Sequence, residues 1–162
     1  MELIEIQRAD ADRLSPLVAD FRVTLNGYRG ISSQPRVEAA REEIGEFLDA
    51  GFPIFAAEDG DELVGYTVCR MDAPCLWVEH LFVREAYRRR GVATLLFEKA
   101  EEIARAMGED TVYNFVHPNN LGMIGFLRAK GYTVLNMIEI RKPYPGETLT
   151  TTIPVGDVVF DY

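Results

Sequence analysis

The sequence predicts an α+β domain of the α/β/α-like kind, in which a mixed, mostly antiparallel central sheet of six to seven strands is flanked by about four helices. Two observations predict this class. Three consecutive β-favouring segments between residues 53 and 83 are joined by short turns, which is typical of an antiparallel meander. The last of them leads into a long amphipathic helix and a further strand, and a strand–helix–strand unit places its two strands parallel with a right-handed crossover.

The composition is that of a soluble globular protein. The 162 residues are 48% hydrophobic and 27% charged, so we expect a single domain over residues 1–162. The net charge of −9 argues against partners such as nucleic acids and anionic membrane surfaces. No apolar run approaches the roughly 20 residues of a membrane helix, and the first ten residues lack a basic and apolar leader. We therefore expect a cytoplasmic protein.

The first fifty residues contain one strand and two helices. Residues 3–6 form a short β-favouring run. Apolar residues recur with helical spacing over residues 14–25, and this pattern stops at the Asn-Gly pair of residues 26–27. A second helix is predicted over residues 37–50, ended by a glycine.

The rest of the chain alternates between strands and helices. The predicted elements are, in order, strands over 53–58, 63–71 and 76–83, a helix over 92–107, a strand over 111–116, a helix over 120–130 and a strand over 132–142. The tail, residues 143–162, has two turns between β-favouring runs. This tail either adds a strand or hairpin to the domain or covers a partner subunit, so a homodimer is one of the two alternatives.

A basic turn opens the long helix. The strand over residues 76–83 is followed by Arg88, Arg89, Arg90 and Gly91, after which the helical pattern begins. The first N–H groups of a helix have no intrahelical partner and the helix dipole favours negative charge there. Gly91 lacks the Cβ that would keep a phosphate away from these amides. The pattern predicts an anion site, and its alternative is a merely solvated basic turn.

These residues carry a resemblance to a known family. The segment Arg88–Ala93 resembles the Arg/Gln-x-x-Gly-x-Gly/Ala signature of the GNAT superfamily of acyl-CoA-dependent N-acetyltransferases. The preceding Glu79–Val83 is similar to the fourth strand of that family. The segment Asn120–Tyr132 is similar to its second motif, Asn-x-x-Ala-x-x-x-Tyr-x-x-x-Gly-Phe.

The resemblance implies acetyl-CoA as co-substrate and a primary amine of a small molecule or peptide as acceptor. The pyrophosphate would take the amides that open the long helix, and the pantetheine arm would pair with the edge of the fourth strand, from which the fifth is splayed apart in the family. The cofactor-binding residues implied are Leu81, Phe82, Val83, Arg88, Arg89, Arg90, Gly91, Val92, Ala93, Thr94 and Asn120. No metal ligands are expected, because Cys69 and Cys75 match no metal-binding pattern.

Acetyl transfer to an amine requires a proton acceptor, because a free alkylamine with a pKa near 10.4 is protonated at neutral pH. A glutamate in the position of Glu79 is the base in some members of the family, so Glu79 is the first candidate, and His117 is the second. The alternatives are a solvent-facing strand glutamate and a structural histidine. His80 should be structural, because strict strand alternation places it on the opposite face from Glu79.

Two features bear on the acceptor and on the leaving group. The early loop of the family borders the acceptor, which makes Tyr28 and Arg29 candidates for substrate contact; the alternative is an exposed linker. The second motif normally carries a tyrosine that protonates the leaving thiolate, but this chain has Leu127 there. Either the thiolate leaves unprotonated, or Tyr113 or Cys69 supplies the proton. A non-catalytic acyl-CoA sensor or assembly module is therefore the alternative function.

Overall fold

The computed structural model describes all 162 residues. Contacts divide the chain into two units, Met1–Phe115 and Val116–Tyr162. The first unit contains β1 (Glu2–Glu5), α1 (Ala11–Tyr28), α2 (Val37–Asp49), β2 (Ile54–Asp59), β3 (Glu62–Asp72), β4 (Cys75–Val83), α3 (Val92–Ala106) and β5 (Tyr113–Asn114), and the second contains α4 (Leu121–Ala129), β6 (Thr152–Val155) and β7 (Val158–Asp161). None of these helices has the length and apolar character needed to cross a membrane.

The first unit is built on a five-stranded sheet of order β1-β2-β3-β4-β5. The pairs from β1 to β4 are antiparallel, and β4 pairs with β5 in parallel. With its four α-helices, the chain confirms the α+β class and the parallel pair of the fourth and fifth strands.

The strand inventory differs from the prediction in one place. The central sheet has five strands rather than six or seven, because residues 132–142 form no strand. The hydrophobic pattern of that segment is strand-like, but a strand needs a neighbouring backbone for its N–H and C=O groups, which periodicity cannot supply. β6 and β7 pair only with each other, as a separate two-stranded sheet.

Two apolar clusters cover the two faces of the sheet in the first unit. One packs α1 and α2 on one face, around side chains that include Leu14, Ile44 and Tyr66. The other packs α3 on the opposite face, through Val92 and Leu96. The sheet is thus a middle layer, and the end of β4 and the start of α3 are held on it by continuous packing.

Gly65 in β3 permits the closest approach between the sheet and α3. A Cβ at this position would lie 2.9 Å from the carbonyl oxygen of Phe82 and 3.1 Å from side-chain carbons of both Val83 and Val92. Any side chain at residue 65 would therefore push the start of α3 away from the end of β4.

Gly65→Ala is expected to lower the free energy of unfolding by roughly 1–3 kcal/mol, because the methyl group overpacks a backbone contact that cannot yield. Denaturant unfolding measures the change. Gly45→Ala in α2 is the matched control: its Cβ would meet only Arg8 Nη1, at 3.8 Å, so it should stabilise the helix by about 0.5–1 kcal/mol. Equal effects of the two substitutions would contradict the close approach at Gly65.

Candidate active site

The turn before α3 exposes backbone amides. Gly91 is the N-cap of α3, with φ 85°, and Arg89 is the one non-glycine residue with positive φ, at 61°. The first helical hydrogen bond runs from Leu95 N–H to the Gly91 carbonyl at 3.0 Å, and no side chain caps the helix. The N–H groups of the residues between them therefore have no intrahelical partner.

The three arginines of this turn are exposed and form no ion pair. Arg88 is held by its Nε, which donates to the Val83 carbonyl at 3.0 Å, and the Arg90 guanidinium lies 5.4 Å from the Tyr87 ring centroid. A Cβ built on Gly91 would meet no atom within 4 Å. The turn thus offers free amides, uncompensated positive charge and open space, which together fit a phosphate group.

The edge of β4 has no strand partner beyond its pairing with β5. β5 pairs only with Trp77 and Val78. The Arg84 N–H donates to the Val64 carbonyl of β3 at 2.9 Å, and backbone groups alternate between the two edges of a strand. Those of Val83 and Leu81 therefore point away from β3, toward the open edge.

This alternation directs the peptide groups of Phe82 toward β3, and Phe82 is paired there with Tyr66. Its side chain belongs to the core on the α1/α2 side of the sheet. The Arg88 guanidinium lies 5.9 Å from the centroid of the Phe82 ring. Phe82 thus links the strand to the basic turn through its ring.

A bulge in the β3/β4 ladder positions Glu79. Val68 pairs with His80 and Cys69 pairs with Val78, so Glu79 is the extra residue. A bulge of this kind changes the direction of the neighbouring side chains. Glu79 lines an open groove of about 450 Å³ together with residues of α1 and α2: Arg22, Ala39, Glu42, Glu43, Glu46 and Phe47.

The groove is acidic. Arg22 and Glu43 form a bidentate pair, with Arg22 Nε 3.0 Å from Glu43 Oε2, which cancels one carboxylate. Glu42 and Glu46 are exposed and have no ion-pair partner. The side chain of Glu79 is 32% exposed and its Oε2 accepts from Arg70 Nε at 3.1 Å. The groove therefore carries net negative charge beside Glu79.

His80 lies behind the groove in a buried network. Its side chain is 3% exposed, Arg22 Nη2 lies 3.2 Å from its Nε2, and Tyr66 Oη lies 3.1 Å from its Nδ1. Because a guanidinium only donates, Nε2 accepts and Nδ1 carries the proton. Glu43 Oε1 is 3.4 Å from Nε2, but burial lowers the pKa of His80 to about 3, helped by the charge of Arg22, so the ring is neutral.

The prediction that Glu79 and His80 lie on opposite faces is wrong. Both contact the α1/α2 side: Glu79 lines the groove with Glu43 and Phe47, and the Phe47 ring centroid is 5.1 Å from that of His80. Strict alternation fails here because the bulge adds a residue to β4.

The remaining candidates of the first unit lie apart from the groove. Tyr28 ends α1 and Arg29 follows it, and neither lines the groove. Cys69 is fully buried, and burial raises the pKa of its thiol to about 12, which makes it a poor proton donor. The pKa of Tyr113 is raised mainly by the neighbouring Cys75, whose side chain is hydrogen-bonded to it.

The second unit holds Asn120 and His117. Asn120 is the N-cap of α4, and its Oδ1 accepts from Met123 N–H at 3.1 Å. His117 Nδ1 accepts from Asn119 N–H at 3.1 Å, and its ring centroid lies 6.3 Å from that of Tyr162. Leu127 is buried in α4. No group of three or more His, Cys, Asp or Glu side chains could hold a metal ion.

A family model described as the acetyltransferase (GNAT) family matches residues 19–132. The chain belongs to the GNAT acetyltransferase family. No curated protein sequence matches it.

Solved GNAT structures share the fold of this chain at low sequence identity. The apo aminoglycoside antibiotic 6'-N-acetyltransferase AAC(6')-IG from Acinetobacter haemolyticus is 15% identical with a TM-score of 0.67, over 89% of this chain and 99% of that one. The ribosomal-protein-alanine N-acetyltransferase from Brucella melitensis biovar Abortus 2308 is 15% identical with a TM-score of 0.70, over 88% and 99%. The aminoglycoside N-acetyltransferase AAC(6')-Iy in complex with CoA is 16% identical with a TM-score of 0.69, over 88% and 93%.

The groove residues of this GNAT chain were not predicted from the sequence. The four-residue spacing of a helix face in α2 relates Glu42 to Glu46 and Glu43 to Phe47. That spacing was a signal for an acidic helix face. It did not indicate which face of the sheet, or which strand residue, the acidic face would meet.

The stability of the protein is expected to depend on His80 between pH 7 and pH 5. Its pKa falls from 6.5 to about 3 on folding because of burial, so the unfolded chain binds the proton first and stability is lost as pH falls below 6.5. Wild-type protein should lose about 2 kcal/mol more over this interval than His80→Gln. Denaturant unfolding at the two pH values measures it, and parallel losses would show that His80 is protonated in the folded state.

Proposed function

We propose that this protein transfers the acetyl group of acetyl-CoA to a primary amine of a small molecule or peptide by direct attack. One observation carries the proposal: in a GNAT chain, the start of α3 combines unpaired arginines and free amides beside an open edge of β4. An anionic thioester cofactor with an amide-containing arm matches both features.

The turn at Gly91 would hold the pyrophosphate. The amides of Val92, Ala93 and Thr94 point out of the helix start, and the arginines beside them supply positive charge. Arg88 is preoriented by its bond to the Val83 carbonyl, which lowers the entropy lost when its other guanidinium nitrogens bind a phosphate.

The open edge of β4 would hold the pantetheine arm. Leu81 directs its N–H and C=O groups to this edge and Val83 its N–H group, while the Val83 carbonyl already accepts from Arg88. The amides of the arm can pair with these edge groups as an added strand does. Asn120 uses its amide oxygen as a helix cap, so its amide nitrogen is the group proposed to bind the cofactor.

The acidic groove would receive the amine. Its carboxylates attract a protonated amine and raise its local concentration. Acetyl-CoA would supply an activated thioester carbonyl: the amine nitrogen would bond to this carbon, the C–S bond would break, and CoA would leave as a thiolate. The second proton that the nitrogen loses on becoming an amide would go to this thiolate or to water. Glu79 borders the groove and would accept, through a water, the proton that the ammonium must lose before it can attack.

His117 remains the second candidate for the base, and Tyr113 the protein group that could protonate the thiolate. A thiolate is stable enough to leave without such an acid, since thiols have pKa values near 8.5. A second function, a non-catalytic acyl-CoA sensor or assembly module, is favoured by Leu127 in place of the motif tyrosine. Release of free thiol from acetyl-CoA with any amine of a panel would exclude it.

Arg88→Ala is expected to weaken CoA binding about tenfold or more, because a charge-assisted contact to phosphate is lost. Isothermal titration with CoA measures this. Arg105→Ala is the matched control, since it removes the same charge from an exposed position in the last turn of the same helix. Equal affinities of the two variants would contradict the anion site at the start of α3.

Glu79→Gln is expected to lower kcat by roughly 10²–10⁴-fold while CoA affinity is kept, because the base is lost and the shape is retained. Thiol release with spermidine, kanamycin and a peptide beginning with alanine measures turnover. Glu38→Gln on α2 removes the same charge outside the groove and should behave as wild type. An unchanged rate in Glu79→Gln would exclude Glu79 as the base.

A further inference from the structure

Arg70 of β3 connects the candidate base to an aromatic platform. Its Nε donates to Glu79 Oε2 at 3.1 Å, and its Nη1 donates to Asp72 Oδ2 at 3.2 Å. Its guanidinium carbon lies 5.2 Å from the centroid of the Trp77 ring. The Trp77 ring in turn stacks on Phe115, with centroids 4.5 Å apart and an interplanar angle of 12°.

The register of the sheet brings these side chains to one face. Arg70 is directly paired with Trp77 across the β3/β4 ladder, and Asp72 follows Arg70 by two residues, which keeps both on the same face. Glu79 is two residues beyond Trp77 and stands at the diagonal position that a long side chain reaches. Three contacts therefore restrict the Arg70 side chain, which is only 27% exposed.

The charges of this group leave Glu79 able to act on a cation. Arg70 is shared between two carboxylates, so the three side chains together carry one net negative charge. The pair with Arg70 occupies one oxygen of Glu79 at 3.1 Å, and a carboxylate has two oxygens with several acceptor sites. Arg70 thus orients the Glu79 carboxylate, while the second oxygen of Glu79 stays free to accept a proton or a hydrogen bond.

We propose that Arg70 is a positioning residue for acetyl transfer: it fixes the rotamer of Glu79 so that the free carboxylate oxygen faces the acidic groove. Trp77 supports it by holding the guanidinium plane through its ring. This inference rests on the proposed function, in which Glu79 is the base.

The alternative is a purely structural ion pair that ties β3 to β4. Partly exposed pairs of this kind contribute little to stability, about 0–1 kcal/mol, and the ladder between these strands is already long. A structural role would therefore leave the rate unchanged when Arg70 is removed, whereas a positioning role lowers it.

The test compares Arg70→Ala with Arg13→Ala, which removes an arginine paired with Glu58 elsewhere on the protein. With the three amines named above, Arg70→Ala should lower kcat tenfold or more and leave the KM for acetyl-CoA unchanged. Free guanidinium ion at non-denaturing concentrations should restore part of the lost rate in Arg70→Ala and should not raise the rate of the other variants. Trp77→Leu should give a smaller fall in kcat. Normal kcat in Arg70→Ala would overturn the inference, as would a lowered kcat that guanidinium cannot restore.

A crystal structure of Arg70→Ala gives a readout independent of turnover. Glu79 should leave its wild-type rotamer, and an unchanged rotamer would overturn the inference even if no acceptor is found. The two proposals fail separately. If Glu79→Gln keeps the wild-type rate, Glu79 is excluded as the base. If Glu79→Gln loses rate but Arg70→Ala keeps it, only the positioning role of Arg70 is excluded.

Discussion

The extra residue in β4 is the constraint on which the proposed acceptor site depends. A regular ladder between β3 and β4 would send residues 79 and 80 to opposite faces of the sheet. The bulge brings Glu79 to the groove beside α2 while His80 stays in the core under the same helices. One inserted residue thus converts a strand position into a carboxylate that is partly exposed, held from one side, and bordered by other acids.

The proposed cofactor site depends on a second irregularity, the shortness of the parallel pairing between β4 and β5. β5 pairs with two residues of β4, so the carboxyl half of that strand is paired with β3 on one edge and has no strand partner on the other. Gly65 lets α3 start directly against the end of this half. An unpaired strand edge is therefore followed along the chain by unpaired helix amides, which is the order that the proposed binding of an extended arm and a diphosphate requires.

Opposite charges occupy the two parts of the site in Met1–Phe115. The turn at Gly91 is basic and without ion pairs, whereas the groove at Glu79 is acidic in a chain whose net charge is −9. This separation suits the two reactants proposed above, one anionic and one cationic. The buried neutral His80 and its partner Arg22 separate the core from the groove.

The sequence by itself determined the features that depend on local periodicity and chain order: the meander, the amphipathic α3, the parallel pair that a strand–helix–strand unit demands, and the basic turn at Arg88–Gly91. It did not determine which face Glu79 would take, since a bulge is set by packing across two strands. The strand-like segment 132–142 stayed unpaired for the same kind of reason.

Only the tertiary structure decided that the acidic face of α2 meets Glu79, and that Arg70 reaches it. These contacts join residues far apart in the chain, and their partners are chosen by register and helix docking. Spacing along a sequence reports on neighbours within one element. The neighbours of a side chain across elements depend on how the whole core packs.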